Sequence, residues 1–505
     1  MVEAPKDMRT ALTEVLSAPA WQQPDMALLE GLPLKDIASD SREVKAGIAF
    51  AAFPGEGRDG RDFIPDAIGR NASAILCEAR GFQWRSEWQV PHALIPELKQ
   101  AIGAIASNVY GKPSEKLWTV GVTGTNGKTS CSTWIAEAFD MLGKRAGVIG
   151  TLGSGLVDNI VSGIHTTPDA VHLQRILADL VRQSATSVAM EASSHGLIQG
   201  RVNGVAFDVA LFTNLSRDHL DYHGDMVAYG TAKARLFAMP GLKHAVINID
   251  DKFGEVLAEA LEDTSVPLTT YGIEHGDLAG MNVEFTSGGI RMDVTWNERQ
   301  CRLESPLLGA FNAHNLLGVI GVLLASGISL EQAVQTASQL RSVPGRLQHL
   351  GGKNQPVVVI DYAHTPDALE KVLKTLRPAV EPDHKLICVF GCGGDRDRGK
   401  RPQMGAVAAE LSDVVIVTSD NPRSESADAI IDDILAGVTS QNMNVMEDRE
   451  HAIQQAISMA RPGDVVLVAG KGHETYQEVH GVRRPFSDLD VAGAALKIKG
   501  GGVNE

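Results

Sequence analysis

Little in this sequence points to a membrane, to nucleic acid or to an oxidising compartment. Its five cysteines, Cys77, Cys131, Cys301, Cys388 and Cys392, are odd in number, scattered and never spaced as CxxC. That excludes a legible disulfide framework and suits a reducing compartment. No stretch approaches the roughly 18 uncharged apolar residues that a membrane-spanning helix needs. The opening residues, Met1-Val2-Glu3-Ala4-Pro5-Lys6-Asp7, form no apolar leader core. The expectation is a soluble, cytoplasmic chain with no membrane partner. No run of Lys and Arg builds a basic face, and the formal net charge is −16. Such a chain is a poor ligand for phosphate backbones, so no nucleic-acid partner is expected. Local geometry can still gather small anions into a pocket. Internal repeats and low-complexity segments are also missing.

What is present is ordinary globular material: 505 residues, 44% hydrophobic and 21% charged. At about 150 residues per domain, that length predicts roughly three domains with full cores. Short apolar runs alternate with helical patterns. Predicted strands are Ile48–Phe53, Ala74–Cys77, Trp118–Val122, Val188–Met190, Val209–Phe212, Val357–Ile360, Leu386–Phe390, Val414–Val417 and Val465–Val468. Predicted helices include Thr129–Leu142, Pro366–Leu376 and Ala427–Leu435. Alternation of this kind implies an α/β fold with parallel sheets. Turn residues cluster at Gly111-Lys112-Pro113 and at Val343-Pro344-Gly345-Arg346. The expected domains are therefore residues 1–113, a central P-loop domain over 114–346 and a Rossmann-like domain over 347–505.

The strongest local motif is Gly121-Val122-Thr123-Gly124-Thr125-Asn126-Gly127-Lys128-Thr129-Ser130, between an apolar strand and an amphipathic helix. Glycines let backbone N–H groups wrap a phosphate without Cβ clashes, and the helix N-terminus adds positive potential. Lys128 can reach the β- and γ-phosphates of a nucleotide, and the Thr129 hydroxyl can ligate Mg²⁺. The first glycine of the usual GxxxxGK[ST] pattern would fall at position 122, which is Val122. Further along, Glu191-Ala192-Ser193-Ser194-His195-Gly196-Leu197 places a carboxylate at a strand's carboxyl end, where it can hold a metal beside a P-loop. Two more polar clusters follow predicted strands: Thr213-Asn214-Leu215-Ser216-Arg217-Asp218-His219-Leu220-Asp221-Tyr222-His223-Gly224 and Asp420-Asn421-Pro422-Arg423. Taken alone, Asp-Asn-Pro-Arg is also an ordinary turn.

Thr123–Thr129 resembles the P-loop variant of the Mur ligase family, which includes folylpolyglutamate synthases; the loop alone does not choose among its members. The resemblance runs from about residue 36 to 490 and implies an ATP-dependent amide-bond ligase of peptidoglycan precursor synthesis. ATP would be held by Gly124, Thr125, Asn126, Gly127, Lys128, Thr129 and Ser130, with Asn312, Asn315, Arg346 and Asp361. Two Mg²⁺ ions would take Thr129, Glu191, His219 and Lys233 as ligands, Lys233 as a CO₂-derived carbamate. Lys128, Lys233, His219 and Glu191 would form the catalytic group. The UDP-MurNAc-L-Ala-D-Glu substrate would meet Ser39, Ser41, Glu56, Gly57, Arg58, Thr166, Thr167, Ser193, Gln199 and Arg201.

Asp420-Asn421-Pro422-Arg423 resembles the specificity motif of members that add meso-diaminopimelate, accompanied by Gly391–Asp397 and Gly470–Glu474. In that reading Asp420, Asn421, Pro422 and Gly470 line the amino-acid site. Arg396 holds the α-carboxylate, Arg423 pairs with the distal carboxylate and Glu474 holds the distal ammonium. A lysine-adding member would leave Arg423 facing a like charge. The implied partners are three small molecules, and the chain is expected to act as a monomer.

Overall fold

The computed structural model describes residues 7–501, apart from 56, 164, 287–288, 353, 381 and 439–441. By internal packing the chain divides into two compact units. One holds Met1–Met281, Asp293–Arg302 and His314–Ala337; the other holds Asn282–Met292, Leu303–Ala313 and Ser338–Glu505.

The first unit contains a small parallel sheet in the order Ile37–Ala38, Ala49–Ala52, Ile75–Glu78, His92–Ile95. Its strands Ala49–Ala52 and Ile75–Glu78 are buried throughout. A larger parallel sheet carries Leu268–Ile273, His244–Asn248, Val209–Phe212, Trp118–Thr123, Ser187–Glu191 and Ala146–Gly150 side by side. Its central strands Val209–Phe212, Trp118–Thr123 and Ser187–Glu191 are buried at every residue but the half-buried Trp118, as strands inside a parallel sheet are. Trp118–Thr123 ends level with two neighbours: Thr123 pairs with Phe212 and Val122 with Glu191. One edge of the sheet therefore presents the loops after residues 123, 150, 191 and 212 together.

The second unit repeats that logic. Its sheet runs Gln348–Gly351, Val357–Asp361, Val465–Ala469, Leu386–Phe390, Val414–Val417, Met443–Val445, parallel except for the first strand. The strand Val465–Ala469 lies between two strands that precede it in sequence, so the loops after 361, 390, 417 and 469 open at one carboxyl edge. Ligand sites of open α/β sheets form at such edges. The helix Pro366–Leu376 starts where Thr365 accepts a hydrogen bond from the Ala368 amide and proline occupies the first turn.

Arg449 ties this edge together. It is fully buried, as is Asp488 at the start of the helix Asp488–Gly501. Its Nε and Nη2 donate to the two Asp488 oxygens at 2.8 Å each, and Nη2 also donates to the Ala469 carbonyl at 2.9 Å. Replacing Arg449 with methionine strands a carboxylate in the core. A loss of about 3–5 kcal/mol of unfolding free energy is expected, largely recovered when Asp488 becomes leucine as well. Urea midpoints of the single and double variants measure this directly.

Candidate active site

At the carboxyl edge of the larger sheet, Gly124 has φ +148 and Gly127 φ +84, values open to glycine. A Cβ at Gly127 would stand 2.5 Å from Asn315 Oδ1, so the loop and the helix Ala310–Ala325 approach too closely for any side chain. The loop is braced from the next strand. The Thr125 amide donates to the Asn214 carbonyl at 2.8 Å, the Asn126 amide to Asn214 Oδ1 at 3.0 Å, and the Thr213 hydroxyl to the Asn126 carbonyl at 2.6 Å. The helix Lys128–Met141 opens directly from Gly127, with Thr129 and Ser130 buried in its first turn.

Two lysines converge on this loop. Lys128 Nζ donates to the carbonyls of Gly124 at 2.9 Å and Thr125 at 2.8 Å. Lys233, on the buried face of the helix Met226–Ala234, donates to the same Gly124 carbonyl at 2.7 Å and lies 4.3 Å from the Tyr229 ring centre. Lys233 is 1% exposed. Burial and the adjacent Lys128 charge hold its amine well below the ordinary lysine range, with Asp218 offsetting part of the effect. This environment favours the neutral amine over the ammonium.

Glu191 is equally buried. Its Oε1 accepts from the Thr151 amide at 2.7 Å, and its Oε2 from the Thr151 hydroxyl at 3.3 Å. Thr151 was not among the sequence-predicted residues. It follows the strand Ala146–Gly150, which has no motif of its own. The network continues into the expected UDP-substrate residues. Thr151 and Thr166 hydroxyls are 3.0 Å apart, Thr167 donates to the Glu191 carbonyl at 2.9 Å, and Thr167 and Ser193 hydroxyls are 2.9 Å apart. Arg201 donates to the Thr167 carbonyl at 2.9 Å and to Gln199 Oε1 at 2.8 Å. Thr166, Thr167, Ser193, Gln199 and Arg201 are thus gathered beside Glu191. His219 has φ +53, and its half-exposed ring lies 4.9 Å from His195 and 6.1 Å from Tyr229. Of the remaining candidates, Ser39 donates to Asp169 Oδ1 at 3.2 Å, and Ser41 is buried. Gly57 and Arg58 sit on an exposed turn closed by the Gly55 amide on the Arg58 carbonyl, and Glu56 lies outside the described residues.

In the second unit Asp361 is buried and accepts from the Leu347 and Ala363 amides at 2.8 Å each. Burial nonetheless pushes its carboxyl above the usual range, against the pull of Arg346. Asp361 thereby pins the turn carrying Arg346, whose guanidinium stands 5.1 Å from the Tyr362 ring centre. Asn312 donates to the Leu308 carbonyl at 2.8 Å.

Around the strands Leu386–Phe390, Val414–Val417 and Val465–Ala469, the predicted amino-acid-site residues share one cluster. Arg423 takes φ +53, fixed by its amide on the Glu478 carbonyl at 3.0 Å and the His480 amide on its own carbonyl at 2.7 Å. Its Nη1 donates to the Gly394 carbonyl at 2.7 Å. Asn421 Nδ2 donates to Glu474 Oε2 at 2.8 Å, and a Cβ at Gly470 would stand 2.6 Å from Asp420 Oδ2. Arg396 is exposed, its Nη1 on the Asp395 carbonyl at 3.0 Å. Asp395 also receives the Ser424 hydroxyl at 2.5 Å, which joins the loop after 390 to the one after 417. The clamping hairpin, Tyr476–Val479 with Val482–Pro485, was not anticipated from sequence.

Among the described residues, no three His, Cys, Asp or Glu side chains gather closely enough to hold a metal ion. The Thr129 hydroxyl and the Glu191 carboxylate, both buried beside the P-loop, are oxygen donors of the kind magnesium takes.

Comparison with known proteins gives a consistent result. The family described as Mur ligase middle domain matches residues 122–323, the Mur ligase glutamate ligase domain residues 345–472 and the Mur ligase catalytic domain residues 34–110. The chain is 51% identical over 496 residues to a UDP-N-acetylmuramoyl-L-alanyl-D-glutamate–2,6-diaminopimelate ligase from Chromobacterium violaceum, covering 98% of this chain and 99% of that one. A solved structure of a ligase with that name aligns with TM-score 0.70 and 38% identity over 92% of this chain and 95% of that one. A MurF ligase from Thermotoga maritima in complex with ADP aligns with TM-score 0.64 over 93% and 100%; at 18% identity it shares the fold.

Proposed function

This chain belongs to the Mur ligase family, and from that membership we propose how its own residues carry out the reaction. It is an ATP-dependent ligase that joins 2,6-diaminopimelate by an amide bond to UDP-N-acetylmuramoyl-L-alanyl-D-glutamate, a step in building the peptidoglycan precursor. No described helix is long and apolar enough to cross a membrane. We take residues 1–113 as the nucleotide-sugar domain, 114–346 as the ATP domain and 347–505 as the amino-acid domain.

The glutamate γ-carboxylate is a poor electrophile, so it first displaces ADP from the γ-phosphate of ATP, forming an acyl phosphate. The P-loop amides and Lys128 hold the phosphates while charge shifts from the γ- to the β-phosphate side. An unprotonated amine of diaminopimelate then attacks the acyl carbon, the tetrahedral adduct gives up the amine proton, and phosphate leaves with the electron pair of the broken acyl C–O bond, taking up that proton and leaving the amide. Thr129, Glu191, His219 and carbamylated Lys233 would hold Mg²⁺, which supplies charge neutralisation for the phosphoryl group. Ser193, Gln199, Arg201, Thr166 and Thr167 orient the peptidyl carboxylate. Ser39, Ser41 and the segment at Gly57 and Arg58 hold the nucleotide end.

The observation that supports this reading best is the pair of lysines on one carbonyl. Half-buried Lys128 and fully buried Lys233 share the Gly124 oxygen. Two ammonium groups there would repel at low effective dielectric. A neutral Lys233 amine is relieved of that cost and adds to CO₂, releasing one proton and leaving a carbamate anion. Intact-mass and peptide spectra of protein held under bicarbonate are expected to show one CO₂ on Lys233, lost with most activity on degassing. A bare amine in fully active protein would refute the carbamate. Phosphate release that requires both the UDP-dipeptide and diaminopimelate tests the ligase reading itself; release with ATP alone would sink it.

A further inference from the structure

Lys471 follows the strand Val465–Ala469 and is fully buried, with no surface open to solvent. Its ammonium donates to Asn421 Oδ1 at 3.0 Å and Glu474 Oε2 at 3.1 Å, and lies 3.9 Å from Asp420 Oδ1. The Tyr476 ring centre is 5.6 Å away. Asn421 closes the triangle, donating through Nδ2 to the same Glu474 oxygen at 2.8 Å. The Glu478 amide fixes Asn421 from the other side, at 2.9 Å from Oδ1. A buried ammonium costs several kcal/mol unless it is well paired. Here the pairing comes from side chains of the amino-acid site itself.

We infer that Lys471 is a positioning residue for diaminopimelate selection: it is the fixed internal cation that holds Glu474 and Asn421 in the geometry that receives the distal ammonium. The inference rests on the reading of Glu474 given above. The Oε2 oxygen of Glu474 already carries two donors, from Lys471 and Asn421, which leaves Oε1 for the substrate. Removing the cation leaves Asp420 and Glu474, two carboxylates of one small site, without the charge between them. They then separate or share a proton, and either change weakens the hold on an incoming ammonium. Lys471 makes no contact with the reacting carboxylate or with phosphate in this reading, so its effect belongs to amino-acid binding rather than to chemistry.

The test is a double-mutant cycle with Lys471→Met and Glu474→Gln on the full-length enzyme, scored by phosphate release. Lys471→Met is expected to raise the KM for diaminopimelate by about 10–100-fold, the usual range for losing a supporting hydrogen-bond partner. The KM values for ATP and the UDP-dipeptide and the kcat should stay within about threefold, because a binding-only residue leaves the transition-state interactions intact. In the Glu474→Gln background, Lys471→Met should add little. If Glu474→Gln leaves the diaminopimelate KM unchanged, the assignment of Glu474 fails. If Glu474→Gln raises it but Lys471→Met does not, or if the two effects multiply in full, the assignment stands and the inference about Lys471 is overturned. Should Lys471→Met not fold, Lys471→Gln serves in the same cycle. It keeps a donor but no charge, so a raised KM supports the inference and an unchanged one overturns it.

Discussion

Replacing Arg423 with alanine should collapse the preference for diaminopimelate over lysine. The two amino acids differ only in the distal carboxylate, and Arg423 is the guanidinium assigned to it. Truncating one partner of such a pair costs about 2–5 kcal/mol, so kcat/KM for diaminopimelate is expected to fall by about 30-fold to several thousandfold. Lysine loses nothing, because it has no carboxylate to pair and meets one fewer like charge. The backbone at 423 makes the experiment clean. Its left-handed φ is fixed by hydrogen bonds with residues 478 and 480 rather than by the side chain. Alanine therefore keeps the loop in place while giving up the Nη1 hydrogen bond to the Gly394 carbonyl. Phosphate release measured side by side with both amino acids decides it. An unchanged ratio would remove Arg423 from the specificity site.

Lys128→Met should nearly abolish turnover. A preorganised cation on a transferring phosphoryl group is worth about 10³-fold or more in rate. Lys233 shares its carbonyl, but burial disfavours its charged form, and as a carbamate it would carry the opposite sign. The kcat is expected to fall by about 10³ while the diaminopimelate and UDP-dipeptide sites stay intact, which titration calorimetry on the variant would register as unchanged affinities. A variant that keeps more than a tenth of its turnover would mean that phosphate charge is neutralised elsewhere.

How much of this is legible in the sequence follows from the kind of signal each part leaves. Strands such as Leu386–Phe390 and Val414–Val417 stand where their apolar runs place them, because a strand buried on both faces must be apolar along its whole length. The P-loop and Asp420–Arg423 are visible because their chemistry is contiguous. The hairpin Tyr476–Pro485 is not. Its second strand is exposed at every residue, so no alternation marks it. Thr151 and Lys471 escape notice for another reason. Thr151 holds Glu191 across 40 residues, and Lys471 reaches Asn421 across 50. Lys471 sits inside a recognised motif, yet its spacing there assigns it no role.

The amino-acid sequence by itself determined the fold class and displayed the phosphate-binding loop, since both are written in residue type and short-range spacing; the other proposed site residues came from the family resemblance. The tertiary structure alone decided which lysine is buried beside another cation, which carboxylate oxygens are already taken and what braces the specificity loop. Burial, charge proximity and hydrogen-bond partners are properties of three-dimensional neighbours, and the neighbours here come from strand ends that lie far apart along the chain.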